Sequence, residues 1–197
     1  MRIVLRGGLE LEDPLGVTIG FVEAYPGYDG HASRPGSFDE SDLRHANRGG
    51  ARISAAQIGA ILERRRRIER ALQSISPETS LADDDIPWRS LTRLFDGFAD
   101  ISGIGFAKMT KALHPKRPAL IPMLDSVVQA YLAADASPAS FAERSTTLVE
   151  SYKQDLDRNL AALGHIQRDL VRRGYRPLTE VRILDLLVWS AYAPARR

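Results

Sequence analysis

The chain has 197 residues, 44% of them hydrophobic and 26% charged, enough apolar material for one sizeable core and too much for a disordered tail, with charges too frequent for a membrane span. Its 27 Lys and Arg against 25 Asp and Glu leave a net charge of +2, which names no partner by itself. The absence of Cys excludes a disulfide framework, a thiolate metal site and a cysteine nucleophile. The opening residues carry charges too early for a secretory leader, so the expected setting is cytoplasmic.

Taken in chain order, residues 1–50 are the least legible. Arg2 to Arg6 can form a short strand, and Pro14 to Tyr25 reads as a helix although β-branched residues interrupt it. The Pro- and Gly-rich stretch after it is a loop that leads to a helix with Asp39 and Glu40 in its first turn. Ser54 to Ile75 reads as one amphipathic helix, with Ile58, Ile61, Ile68, Leu72 and Ile75 on a stripe. Arg65 falls on that stripe within the run Arg64 to Arg67, so it should be half-buried against a carboxylate; Asp83, Asp84, Asp85, Asp96 and Asp100 are the choices.

A second strong helix begins near Pro87 and presents Trp88, Leu91, Leu94, Phe95 and Phe98. It ends at the turn Ser102-Gly103-Ile104-Gly105, followed by a short helix from Phe106 to Leu113, an extended stretch from Pro118 to Leu124, and a helix starting at Asp125. Pro138 opens a long helix that should bend near Gly164 and stop at Gly174. The last helix, Leu178 to Tyr192, is apolar on nearly all sides and therefore buried. Asp185 on it can pair locally with Arg182. These elements predict an all-α globular array in a single compact domain of residues 1–197, with no heptad repeat.

The turn at Gly103 to Gly105 has a physical use. Glycines allow a tight bend with φ > 0 and leave the first-turn amides of the next helix bare, where a phosphate oxygen can sit. Gly103, Ile104 and Gly105 would bind it through the main chain, with Lys108 and Lys111 on one face beside it and Lys116 and Arg117 adding charge. Asp125 is either a plain helix cap or a carboxylate able to stabilise positive charge on a sugar. Trp88, Tyr131, Tyr152 and Trp189 are candidates for stacking on a base, or else core residues. His31, His45, His114 and His165 show no metal-ligand spacing, so no metal site is expected.

Over roughly residues 85–192 the chain resembles the helix-hairpin-helix DNA glycosylase superfamily. Ile101-Ser102-Gly103-Ile104-Gly105 is similar to its Leu-Pro-Gly-Val-Gly hairpin. Pro122-Met123-Leu124-Asp125-Ser126-Val127-Val128 is similar to the stretch that carries its catalytic aspartate, and Tyr175-Arg176-Pro177-Leu178 with Trp189 to the ending of alkyl-adenine-type members. The resemblance implies a DNA-binding fold and a monofunctional base-excision hydrolase using Asp125, without a cofactor. Ala107 stands where bifunctional members carry Lys, so no lyase activity is implied. The alternatives are a non-catalytic hairpin module that grips DNA phosphates, and a helical protein acting on a small molecule or protein partner. Oligomeric state is not legible.

Overall fold

The computed structural model describes residues 2–25, 27, 29, 34–132 and 139–193. Two strands, β1 (Ile3–Val4) and β2 (Glu10–Leu11), pair antiparallel with Ile3 opposite Leu11. So short a ladder has little stability of its own. Asn159 supplies what is missing, accepting from the Val4 amide at 2.8 Å and donating to the Val4 carbonyl at 3.0 Å.

The rest is helical: α1 (Pro14–Ala24), α2 (Glu40–Arg48), α3 (Ala55–Glu63), α4 (Arg65–Gln73), α5 (Trp88–Asp96), α6 (Phe106–Leu113), α7 (Ser126–Tyr131), α8 (Phe141–Arg172) and α9 (Glu180–Tyr192). The all-α expectation holds. Local chemistry accounts for the starts of several of them. Asp13 caps α1 ahead of Pro14, and Asp39, Ser54 and Ser140 open α2, α3 and α8 with reciprocal capping boxes. The proposed opening of α8 at Pro138 lies outside the described residues.

One expectation fails at the level of elements. Residues 54–75 are not one helix: the chain breaks at Arg64, whose backbone leaves helical geometry while its guanidinium donates to the Ala99 carbonyl. With α4 starting at Arg65, that side chain leaves from a helix end and reaches Glu69 across solvent at 2.9 Å, so it is exposed and not half-buried. Arg67 is the member of the run that finds one of the anticipated partners, Asp96. α8 is one continuous helix through Gly164, between the buried Leu163 and Ile166, and it ends just before Gly174, where φ is 81°.

α8 is the spine of the molecule, packed on α5 and α9, and α9 carries α1 and α7 on its other sides. α9 is buried on nearly all sides, with Val181, Ile183, Leu184, Leu186, Leu187 and Val188 all in the core. One connected core extends from Ile3 through Phe38 and Phe95 to Val188. Among the described residues, no helix is long and apolar enough to cross a membrane.

Candidate functional site

Asp125 caps α7, its Oδ1 accepting from the Val127 amide at 3.0 Å and the Val128 amide at 3.1 Å. This is the geometry of an Asp at a helix start. Among the described residues no hydrogen bond reaches its Oδ2, and the residue lies in the wall of a pocket of about 230 Å³. A cap and an available carboxylate oxygen therefore coexist in one side chain.

The pocket forms where α1, α6, α7 and α9 meet the end of α2. Phe21, Tyr25 and Trp189 give it aromatic walls; Phe21 meets Trp189 edge to face at 5.3 Å and Tyr25 nearly parallel at 6.1 Å. Met123, Val128 and Leu186 complete the apolar lining. Arg48 and Lys111 add positive charge. Lys111 is held by the Gly49 carbonyl at 3.0 Å; burial lowers its pKa, while Asp125 nearby pushes it back up.

α9 contributes two more charged residues. The expected local pair between Arg182 and Asp185 does not form. Arg182 instead binds Asp29, 153 residues earlier, through Nε to Oδ1 at 2.7 Å and Nη2 to Oδ2 at 3.3 Å, because a planar guanidinium matches a carboxylate edge. Asp185, only 3% exposed, accepts from the Met123 amide at 3.1 Å through Oδ2. Burial pushes its pKa up to about 7, against the opposing field of Arg182.

The hairpin between α5 and α6 sits at the other end of the α6 face that carries Lys111. Gly103 and Gly105 are exposed, and no side chain caps the first turn of α6. Only Gly103 has positive φ, at 72°; Gly105 is extended. Ile104 is not a phosphate ligand, since its amide closes the turn on the Ile101 carbonyl at 3.0 Å and its side chain enters the core. Lys108 is braced by Gln57 at 2.8 Å, and the same Gln57 amide donates to the Ser102 carbonyl at 3.0 Å.

Four residues expected near a ligand are structural instead. Lys116 is buried in an ion pair with Asp42 at 2.7 Å, and Arg117 is 1% exposed with its guanidinium spread over the Pro35, Lys116, Leu72 and Ile75 carbonyls. Buried cations need such partners, and these are supplied by distant segments. Tyr152 is fully buried and donates to the Val181 carbonyl at 2.8 Å. Tyr131 is buried under Arg6 and Tyr192, accepting from the Arg6 amide at 3.1 Å. Trp88 lines a separate groove with Thr92 and Glu143. Of the aromatic candidates, Trp189 alone reaches the pocket that contains Asp125.

Sequence reasoning missed Arg52, exposed on the segment between α2 and α3 with φ at 55°. Asn47 clamps that segment by bonding both the amide and the carbonyl of Ile53. Left-handed backbone at a bulky residue is costly and clusters at functional sites. Arg48 ends α2, Arg52 follows on the segment leading to α3, and Lys108 and Lys111 are carried by α6; Arg48 and Lys111 line the pocket, and Lys108 is tied through Gln57 to the hairpin. His31 lies outside the described residues.

Compared with known proteins, the chain has no match among curated proteins or solved structures. A family of unknown function, DUF6308, matches residues 14–192, from the start of α1 to the last residue of α9, and the chain belongs to it.

Proposed function

We propose that the chain is a DNA-binding protein of the monofunctional base-excision type, in which the pocket beside Asp125 receives a nucleobase turned out of the strand. The observation that carries this reading is Asp125 in the wall of a small aromatic-sided pocket, with no hydrogen bond to its Oδ2 among the described residues. At about 230 Å³ the pocket is below the roughly 300–1,000 Å³ of sites for drug-sized ligands, which suits one planar ring system and leaves the sugar at the mouth. Phe21, Tyr25 and Trp189 offer π-faces for stacking.

In hydrolysis of an N-glycosidic bond, the bond between C1′ and the base nitrogen breaks with its electron pair on the base. The base takes up a proton, and water adds its oxygen to C1′ while giving up a proton. A fixed carboxylate beside the sugar stabilises the positive charge that develops and can accept that proton. Asp125 is preorganised for this by the two amides that hold its other oxygen. Arg48, Arg52, Lys108 and Lys111 would neutralise the phosphates flanking the extruded nucleotide, and the open first turn of α6 beyond Gly105 would take another.

The test is Asp125→Asn, assayed on duplexes carrying a panel of modified bases. Asn caps a helix about as well as Asp, so folding and salt-dependent DNA binding should persist while base release falls by two orders of magnitude or more, roughly the effect of removing one charge-stabilising group. Base release unchanged by the substitution would overturn the catalytic reading. The cap bonds of Asp125 favour a second reading, a non-catalytic module that grips phosphates, and DNA binding without base release by either form would establish it. Lack of DNA binding at low salt would remove both.

A further inference from the structure

Asp185 is the carboxyl most deeply set in the pocket wall. Its Oδ2 takes the Met123 amide, but its Oδ1 is enclosed and accepts no hydrogen bond among the described residues. A buried carboxyl oxygen left without a donor is a rare and costly state, and it calls for a partner. The Tyr152 hydroxyl lies beside the carboxyl but gives its one proton to the Val181 carbonyl, and the other nearby donors are engaged as well, Arg182 with Asp29 and Lys111 with the Gly49 carbonyl. An acceptor with its own chain's donors turned away, in a wall shared with Leu186 and Trp189, complements a ligand that brings an N–H of its own.

The charge around it narrows the ligand further. Arg48, Lys111 and Arg182 line the pocket against two acidic residues, Asp125 and Asp185. That balance does not favour a cationic heterocycle over a neutral one. We infer that Asp185 is the specificity-determining residue of this site, selecting a neutral nucleobase that offers an exocyclic amino group to its Oδ1, an inference that rests on the base-receiving reading of the pocket.

The test uses the whole chain and pairs of N-methylated bases that exchange an amino for a keto group at one position: 9-methyladenine against 9-methylhypoxanthine, and 1-methylcytosine against 1-methyluracil. Above the pH of about 7 to which burial raises the carboxyl's pKa, where Asp185 is ionised, calorimetric titration should show the amino member of at least one pair bound more tightly by about 10- to 100-fold, the range of a hydrogen bond to a charged group. Asp185→Asn keeps the shape but can present an N–H₂ donor where Oδ1 stood, so the preference should shrink or reverse toward the keto member. A general loss of stability would weaken both members alike and leave their ratio unchanged. Equal binding of the two members, or a preference that Asp185→Asn retains, would overturn the role of Asp185 while leaving the pocket reading intact. Should the variant not fold, the wild-type ratio decides. If the wild type binds none of the four, the base-receiving reading fails and this inference with it.

Discussion

Gly103 and Gly105 look interchangeable in the sequence and are not. At Gly103 the backbone is left-handed, and an added Cβ would stand 2.5 Å from the Gln57 side-chain nitrogen. Gly105 is extended, with open space where a Cβ would go. Gly103→Ala should therefore cost about 1–2 kcal/mol through the left-handed backbone alone and displace Gln57, loosening Lys108. Gly105→Ala should leave the thermal midpoint nearly unchanged. The two midpoints, measured side by side, check this; equal losses would mean that the bend is set by something other than Gly103. Single residues also show how one side chain can hold two roles. Asp125 Oδ1 belongs to the architecture of α7 while the residue also lines the pocket, so a structural and a chemical explanation of the same aspartate do not compete.

Among elements, the segment between α2 and α3 leads from Gly49 in the pocket wall to α3, whose Gln57 bonds Ser102 of the hairpin, and Arg52 is its strained point. Arg52→Gly should relieve the left-handed backbone and raise stability by up to about 1 kcal/mol. It should also weaken DNA binding and reduce the slope of log affinity against log salt by about 1, the share of one phosphate contact. A gain in melting temperature with no change in salt slope would show that Arg52 touches no phosphate. The helices themselves were largely legible. α6 follows a Gly turn and precedes a Pro, α9 is apolar all round, and both lie where the periodicity predicts. The break at Arg64 was hidden because the apolar spacing continues across it, and what interrupts the helix is accompanied by a contact with Ala99, 35 residues away. Burial of Lys116 and Arg117 was hidden for the same reason, since Asp42 and the Leu72 and Ile75 carbonyls are brought to them only by the fold. Asp125 could be singled out in the sequence, but its pocket could not: Phe21, Lys111 and Trp189 come from three helices whose meeting has no local signature.

At the scale of the whole molecule, two buried groups that feel the charge of Arg182 have protonations that oppose each other. His114 is enclosed next to the Arg182–Asp29 pair, bonded through Nδ1 to the Ile121 carbonyl at 2.7 Å, and burial lowers its pKa to about 4 from an ordinary 6.5. Between those values the unfolded chain takes up a proton that the folded protein refuses, so this residue makes stability fall as pH drops from 6.5 to 4. Asp185, raised from an ordinary 3.8 to about 7, does the reverse. Between 3.8 and 7 the folded protein keeps a proton that the unfolded chain has released, so its contribution to stability falls as pH rises. Each slope is at most about 1.4 kcal/mol per pH unit, and over the shared window from about 4 to 6.5 they cancel. Asp185→Asn should leave a protein that weakens on acidification through this window, and His114→Gln one that strengthens. Urea midpoints at half-unit pH steps read this as two profiles of opposite tilt on either side of a flatter wild type. The acidic residues with lowered values, Asp39, Glu69 and Glu143, act mainly below this window and are common to all three proteins. Parallel profiles would mean that neither group changes its protonation on folding, and the buried charge balance around Arg182, Tyr152 and Asp125 would have to be drawn differently.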